Sequence, residues 1–183
     1  MIIKPTSINC AVVIEAEPIC DMRGAFARSF CKKTLEDYGL KFEAVQCNMA
    51  NNIHANTIRG MHFQKSPFCE QKIVSCLRGA IYDVIIDLNK GSTTFGKWFG
   101  IELNDKNAKS LYVPKGFAHG YQTLTPDTVI SYMVSEYYSP SYESGIRWDD
   151  NTFGIRWREM GEEIVISEKD RNWKDFNKYS DGI

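Results

Sequence analysis

Between about residues 70 and 136, hydrophobic and polar positions alternate in short runs. In the run from Ala80 to Leu88 every second residue is apolar, whereas Asp83 and Asp87 fall on the opposite side. A period of two is typical of a β-strand that buries one face. The preceding run, residues 72–77, is also rich in β-forming residues, and Arg78-Gly79 between the two runs predicts a hairpin turn.

Further β-rich runs follow at residues 98–103, 110–114, 118–124 and 128–137. Short strands at this spacing, separated by Gly, Pro and Asn, indicate a sandwich or barrel rather than a parallel α/β sheet. Helix signals are short and peripheral. Residues 32–39 end in a glycine stop signal, and residues 167–176 begin with Ser167 as a candidate N-cap. With no repeat or linker, the sequence predicts one mainly β domain over residues 1–183.

The composition is that of an ordinary globular protein, with 43% hydrophobic and 25% charged residues. A formal net charge of −1 gives no electrostatic reason to expect a nucleic-acid partner or an anionic membrane surface. The first residues lack a basic stretch followed by a long apolar one, and no apolar run approaches the ~20 residues that a membrane helix needs. We therefore expect a cytoplasmic protein.

Six cysteines are scattered along the chain without a CxxC or another close pair. In a chain with no export signal this distribution predicts reduced, mostly buried thiols. A disulfide framework or a zinc site is the less favoured interpretation.

The chain has three histidines, of which His62 and His119 stand in conspicuous settings. A metal site needs about three or four converging donors, but Gln64 follows His62 where a second ligand would be expected, and no Glu comes at strand spacing. The sequence thus predicts no metal. His62 is then a structural residue or an acid–base group. Arg59 and Lys72 nearby favour a cationic lumen that binds phosphates, since Glu70 is the only acidic residue between them.

Two further residues carry alternative interpretations. Asp170 completes the pattern of a capping box that begins at Ser167, but it could also orient and charge His62 as an acid does in a His–Asp pair. Tyr132 alternates with apolar neighbours in its run, so it faces inward either as packing or as a functional hydroxyl. The tyrosines around Pro140 could stack on a planar base or cover the barrel mouth.

Taken together, these motifs resemble the dTDP-4-dehydrorhamnose 3,5-epimerase family. The resemblance runs in register from about residue 10 to residue 173, and its most specific parts are the Arg-Gly-x-His-x-Gln and Gly-Phe-Ala-His-Gly motifs. The segments that carry it are Asp21–Gly24, Val45–Asn48, Arg59–Gln64, Gln71–Lys72, Val113–Gly120, Tyr137–Pro140 with Glu143, Gly145 and Trp148, and Ser167–Asp170.

The resemblance implies a homodimeric, cupin-like double-stranded β-helix (a jelly-roll barrel) with short peripheral helices and neither a metal nor a redox cofactor. It implies a nucleotide-sugar substrate and a place in dTDP-rhamnose biosynthesis. By the same match, His62 is the base, Asp170 its partner, Tyr132 the acid, and Lys72 the group that stabilises the enolate oxygen at C4. The implied ligand contacts are Arg23, Gln46, Asn48, Arg59, His119, Tyr138, Glu143 and Lys169.

These residue types suit the implied chemistry. A 4-keto group acidifies the hydrogens at C3 and C5, so a base on one ring face and an acid on the other can invert each centre through an enolate, with each group worth on the order of 10²–10⁴-fold. A cation at the enolate oxygen stabilises the charge that develops there. With a reference pKa near 10, tyrosine can donate a proton at neutral pH.

One position departs from the family pattern. Five residues after Arg23 the family often has a Glu as a ligand contact, and this chain has Arg28. A guanidinium donates hydrogen bonds only, so that contact is not preserved. We expect Arg28 to bind phosphate, or alternatively to favour a base with acceptor edges such as guanine.

Other activities remain open from the residues. A relative could epimerise C3 alone or C5 alone, or isomerise a 3-keto and 4-keto pair, on a dTDP-, GDP- or CDP-linked sugar. A catalytically idle barrel that binds sugar nucleotides is the non-enzyme alternative. The combination of base, acid and cation argues for an enzyme, because binding alone needs no matched acid and base.

Overall fold

The structure, a computed structural model, describes residues 1–177 and 182–183; residues 178–181 of the predicted domain lie outside it. Two six-stranded sheets form most of the fold, as a cupin-like jelly roll whose sheets are stacked face to face. The strands are β1 (Ile2–Pro5), β2 (Val12–Glu15), β3 (Ile19–Asp21), β4 (Gly24–Phe26), β5 (Gln46–Asn52), β6 (Thr57–Gln64), β7 (Lys72–Arg78), β8 (Ala80–Asp87), β9 (Trp98–Asn104), β10 (Lys109–Val113), β11 (Phe117–Thr123), β12 (Thr128–Val134), β13 (Glu143–Gly145) and β14 (Val165–Ile166).

The first sheet has the strand order β1-β2-β10-β7-β12-β5, and the second has β13-β6-β11-β8-β9 with β14 beside β6. The pairs within these orders are antiparallel, and β14 runs parallel to β6. Between the sheets lies an apolar core to which both contribute, for example Val74 and Leu111 from the first and Ile85 from the second. Each such buried side chain contributes about 1.5–3 kcal/mol of transfer free energy. The mainly β prediction is confirmed.

The predicted hairpin at Arg78 and Gly79 is wrong, although both of its strands exist. β7 belongs to the first sheet and β8 to the second, so the chain crosses between sheets at Gly79. Gly79 has φ +80°, and a Cβ there would lie 2.5 Å from the hydroxyls of Thr125 and Thr128. A period of two identifies a strand but not its partner, and β8 pairs with β9 and β11 instead.

Strand β8 is buried on both faces. Asp83 and Asp87, on the face opposite the apolar one, are fully inaccessible to solvent. The apolar face forms a second core, in which Val84 and Ile86 are covered by Phe153 and Phe176 of the C-terminal segment. This packing lays the C-terminal segment across the second sheet and brings the last helix against β6.

The two helices fall where the sequence predicts them. Helix α1 (Lys32–Asp37) is followed by Gly39 at φ +85°. Helix α2 (Glu168–Arg171) is capped by Ser167, whose Oγ accepts a hydrogen bond from the Asp170 backbone N–H at 3.1 Å. A single 3₁₀ turn also precedes β13. No helix among the described residues is long and apolar enough to cross a membrane.

All six cysteines are free, but the expectation that most are buried is wrong. Only Cys76 is buried, and Cys10, Cys20 and Cys47 are exposed. Cys47 lies on the edge strand β5 and Cys20 on the small β3–β4 hairpin. Some faces of peripheral strands pack against nothing else in the chain. On such a strand, the fact that a residue is small and apolar does not predict whether its side chain is buried. Burial raises the pKa of the Cys76 thiol to about 11.

Candidate active site

A pocket of about 420 Å³ lies between the two sheets. Two opposite sheets supply its reactive side chains, with His62 on β6 of the second sheet and Lys72 and Tyr132 on β7 and β12 of the first. The pocket therefore has a histidine on one wall and a tyrosine and a lysine on the other. The predicted site residues that line it are Gln46, Asn48, His62, Lys72, Tyr132, Tyr138 and Glu143.

His62 forms a hydrogen bond with Asp170. The His62 Nε2 and the Asp170 Oδ1 are 2.6 Å apart, and the Gly60 backbone N–H donates to Asp170 Oδ2 at 3.1 Å. Asp170 is only 4% exposed. Burial alone would raise the pKa of its carboxyl, but the hydrogen bond and charge of His62, with the Gly60 N–H, hold that pKa below its usual value. With Nε2 engaged, Nδ1 is the ring nitrogen that can accept a proton from a ligand.

Asp170 therefore serves both as part of the helix cap and as the partner of His62. Its backbone N–H bonds to Ser167 while its carboxylate bonds to His62, so the two interpretations of the sequence hold together. The short helix fixes the backbone of the residue whose side chain orients the imidazole. A carboxylate in this position selects the tautomer and stabilises the imidazolium that forms when His62 takes up a proton.

Trp173 packs beside the same histidine. Its ring lies 6.3 Å from that of His62 at 72°, an edge-to-face arrangement, and the Lys169 ammonium lies 5.7 Å from its centre. Gly145, paired with His62 across β13 and β6, makes room for the indole, because a Cβ there would lie 2.2 Å from Trp173 Cε2. The indole thus packs against the imidazole and restricts its movement.

An irregularity in β6 turns Arg59 and His62 to the same face. In a regular strand, residues three apart point to opposite sides. Here His62 pairs with His119 and Arg59 pairs with Tyr121, so a register shift lies between them. The shift lies where Gly60 meets Gly120: a Cβ on Gly60 would approach Gly120 Cα to 2.6 Å. Gly60 and Gly120, one from each histidine motif, are therefore required by the close approach of two backbones.

Arg59 and His119 are not part of this pocket lining: Arg59 is exposed on β6, and His119 is buried on β11. Arg59 Nε donates to Asn52 Oδ1 at 2.8 Å, and the Tyr121 hydroxyl donates to the same oxygen at 3.1 Å. His119 Nε2 lies 2.7 Å from Asp83 Oδ1, and both side chains are nearly inaccessible. Asp83 thus gives His119 a buried carboxylate partner that no local spacing in the sequence predicts.

On the opposite wall, Lys72 forms an ion pair with Glu70, whose Oε1 lies 3.1 Å from Nζ. The expected cationic lumen is therefore partly balanced by carboxylates. Tyr132 is half-buried next to these groups. Burial raises the pKa of its hydroxyl above the ordinary value, an effect that Arg59 opposes and Glu70 reinforces. Tyr132 is consequently protonated at neutral pH and can donate a proton.

Side chains at the rim bind one another. The Tyr138 hydroxyl donates to Glu143 Oε2 at 2.7 Å, and Lys169 Nζ donates to Glu143 Oε1 at 2.6 Å. The Glu143 carboxylate raises the pKa of Tyr138, while Lys169 and Tyr138 outweigh burial and lower the pKa of Glu143. Among residues 1–177 and 182–183, no group of three or more His, Cys, Asp or Glu side chains is placed to hold a metal ion.

A model of the dTDP-4-dehydrorhamnose 3,5-epimerase family matches residues 5–178. The chain belongs to this family. It is 42% identical over 170 residues to the dTDP-4-dehydrorhamnose 3,5-epimerase of Methanothermobacter thermautotrophicus, which covers 92% of this chain and 91% of that protein. The resemblance found in the motifs is thereby confirmed.

Solved structures of relatives share the fold. The Legionella pneumophila 3,5-epimerase in complex with dTDP-4-keto-L-rhamnose is 36% identical, with a TM-score of 0.89 over 94% of this chain and 91% of that one. A 3′-monoepimerase from Streptomyces bikiniensis in complex with dTDP-quinovose is 29% identical, with a TM-score of 0.87 over 94% of this chain and 86% of that one.

Besides Arg59, His119 and Lys169, two further predicted ligand residues of this epimerase-family chain do not line the pocket. Arg23 is on the β3–β4 hairpin, where its side chain is 86% exposed and pairs with Asp21 at 2.5 Å. Arg28 follows the same hairpin and is exposed. Neither residue lines the pocket of its own chain.

Several residues that shape the site carry no role predicted from the sequence. Gln64 anchors the loop that carries the rim tyrosines: its Nε2 donates to the Tyr137 carbonyl at 3.2 Å, and its Oε1 accepts from the Ser139 N–H at 2.6 Å. Its spacing two residues after His62 was the available signal, because both then face the same side of a strand. Trp173 and Asp83 gave no such signal, since their partners are distant in sequence.

Proposed function

We propose that this chain epimerises dTDP-4-dehydro-6-deoxy-D-glucose at C3 and C5 to give dTDP-4-dehydro-L-rhamnose. One observation carries the proposal beyond family membership. His62, which is hydrogen-bonded to Asp170, and Tyr132 come from opposite sheets and line one pocket, as a base and an acid must if they are to reach opposite faces of a sugar ring.

In the proposed reaction, His62 Nδ1 removes the hydrogen on the carbon next to the C4 ketone. The electron pair of that C–H bond moves into the ring bond and on to O4, which forms an enolate. Asp170 stabilises the resulting imidazolium, because it is buried and ionised beside Nε2. The Lys72 ammonium lies on the other wall of the pocket, where it compensates the negative charge on O4.

Tyr132 then donates its hydroxyl proton to the carbon from the opposite face, and the ketone is restored with inverted configuration. The raised pKa of this hydroxyl keeps it protonated until the carbanion forms. The proton on His62 and the charge on Tyr132 are reset by exchange with solvent. Repetition at the second α-carbon gives the doubly inverted sugar.

The remaining predicted residues are proposed to bind the nucleotide diphosphate and sugar. Gln46 and Asn48 line the pocket from β5, and the Arg59 guanidinium on β6 and the His119 imidazole on β11 are proposed to contact the phosphate oxygens. At the rim, the half-exposed ring of Tyr138 is available to stack on the base. Glu143 and Lys169 are hydrogen-bonded to each other and, through Glu143, to Tyr138. Both are therefore proposed to contact the same end of the nucleotide as Tyr138.

We further propose that the chain works as a homodimer in which Arg23 and Arg28 reach the partner's site. The β3–β4 hairpin that precedes Arg28 exposes three large apolar side chains: Ile19, Met22 and Phe26 are 72%, 101% and 70% exposed. Such a surface is unfavourable in water and typical of an interface. Light scattering should give twice the chain mass, and Met22→Glu with Phe26→Glu should lower it.

The cytoplasm is the proposed location. The six thiols are free and three are exposed, which suits a reducing compartment. Cell fractionation with an antibody against the chain tests this placement.

The decisive experiment incubates the purified chain with dTDP-4-keto-6-deoxyglucose in D₂O and follows deuterium at C3 and C5 by NMR. A 4-ketoreductase in a parallel reaction traps the product. Deuterium at both carbons with an L-rhamno product supports the proposal. Deuterium at one carbon alone would instead assign a monoepimerase, the activity that the Streptomyces bikiniensis relative is named for. No incorporation would leave only a sugar-nucleotide-binding barrel.

A further inference from the structure

Glu70 is a carboxylate of the pocket that the proposed reaction does not use. Its side chain is 8% exposed and its Oε1 lies 3.1 Å from Lys72 Nζ, which is itself on a side chain 11% exposed. Its second oxygen, Oε2, is buried and has no hydrogen-bond partner among the described residues. Glu70 lines the same pocket as Lys72 and Tyr132.

This arrangement is costly for a structural element. A buried oxygen of an ionised carboxylate that lacks a partner loses on the order of 1–3 kcal/mol of hydration, or more because it carries charge. A buried ion pair is moreover weak evidence of stabilisation, since apolar residues of equal volume often do as well. Exceptions of this kind concentrate at functional sites.

The ion pair has a direct consequence for Lys72. A lysine amine at the end of four methylene groups has many rotamers, and fixing it costs ~2 kcal/mol of side-chain entropy. A carboxylate 3.1 Å away restrains the ammonium before any ligand binds. A cation that is already in place when negative charge develops stabilises a transition state more than one that must reorganise.

We infer that Glu70 is a positioning residue for the epimerisation, which holds the Lys72 ammonium at the point of the pocket wall where the oxyanion forms on C4. The inference rests on the proposed function. Glu70 acts through Lys72 and need not touch the sugar. The effect of a Glu70 substitution on kcat should therefore depend on whether Lys72 is present.

The test is a double-mutant cycle on solvent deuterium incorporation and on coupled turnover. Glu70→Gln keeps the shape and one acceptor but removes the charge. In the otherwise unchanged chain it should lower kcat by about 10–100-fold and change KM by less than about threefold, because the bound ground state is a neutral ketone and the oxyanion develops only during the reaction. In a Lys72→Met background, the same substitution should cost less than about twofold.

A matched control is Glu136→Gln, a second carboxylate that lines the pocket but whose Oε1 accepts a hydrogen bond from the Tyr137 backbone N–H. Glu136→Gln should change kcat by the same factor in the otherwise unchanged chain and in the Lys72→Met background. Thermal unfolding of each variant establishes that it is folded. Glu70→Asp, which keeps the charge one methylene further away, should recover part of the lost kcat.

Equal losses from Glu70→Gln in both backgrounds would overturn the inference while leaving the proposed function intact. So would a rise in KM with kcat unchanged, which indicates a ligand contact in place of a positioning role. An otherwise unchanged chain that incorporates no deuterium would overturn the proposed function and the inference together.

Discussion

The His62 Nε2 lies 2.6 Å from the Asp170 Oδ1, although 108 positions separate the two residues in the chain. The contact exists because the C-terminal segment crosses the outer face of the second sheet and packs Phe153 and Phe176 onto it. Further along this segment, Trp173 rests on the edge of the His62 ring. The proposed base thus depends on the docking of the last thirty or so residues as much as on its own strand.

Replacing the proposed base should stop carbon–hydrogen exchange. We expect His62→Ala to lower deuterium incorporation at C3 and C5 by on the order of 10²–10⁴-fold, because the variant lacks the imidazole that is proposed to take the proton. The control is His54→Ala, an exposed histidine in the loop before β6, which should exchange like the unchanged chain. Exchange at the unchanged rate in the His62 variant would refute the base assignment.

Removal of the proposed acid should separate exchange from inversion. In Tyr132→Phe, His62 can still remove and return a proton on its own face, so some deuterium should enter the sugar. Productive inversion should fall by on the order of 10²-fold or more, because the opposite face lacks a donor. The comparison is Tyr137→Phe, 62% exposed and outside the pocket. Equal loss of exchange and inversion would contradict the two-face mechanism.

Because of Asp170, the free energy of unfolding should fall as the pH is lowered into the acid range. The pKa of Asp170 in the folded chain is lowered from the ordinary value of 3.8, so its interactions stabilise the fold fully above that pH and are lost as pH falls through the lowered folded value. The free energy of unfolding of the unchanged chain should therefore exceed that of the Asp170→Asn variant, and the difference should be larger at pH 6 than at pH 3. Urea titrations at both pH values measure this. A difference that does not shrink at pH 3 would show that the carboxylate charge is not responsible.

The irregularity in β6 should be intolerant of a side chain at Gly60. Gly60 has φ +116°, and a Cβ would come within 2.6 Å of Gly120 Cα. We expect Gly60→Ala to destabilise the fold by on the order of 2–5 kcal/mol through strain and overpacking. Gly91→Ala is the matched control, since Gly91 has open space and no positive φ. Denaturant unfolding of both variants decides; equal stabilities would mean that the strand adjusts freely.

The nucleotide preference tests the role of Arg28. Because the family members named above act on or bind dTDP sugars, we expect turnover of the dTDP-linked keto sugar to exceed that of its GDP-linked counterpart by at least about tenfold. A strong dTDP preference excludes the guanine hypothesis and leaves Arg28 as a phosphate contact. Comparable turnover of both would support guanine recognition.

Local pattern was sufficient for the strands from β7 to β12 and for both helices, because alternation and capping signals depend only on near neighbours. Local pattern did not predict which strands pair with one another. Arg78 and Gly79 looked like a hairpin turn, yet β7 and β8 lie in opposite sheets, since pairing is decided by distant strands with which each buries its faces. The prediction that most cysteines are buried was wrong for the same reason, because burial also depends on distant segments.

The sequence by itself determined the chemical groups of this protein: its histidine motifs, a lysine and a tyrosine in β-forming runs, and its membership of an epimerase family. Only the tertiary structure decided how they meet. The close approach of Gly60 and Gly120 turns Arg59 and His62 to one face, the packing of the C-terminal segment gives His62 its carboxylate, and Glu70 balances Lys72. Each of these relations depends on contacts between chain segments whose geometry no local spacing encodes.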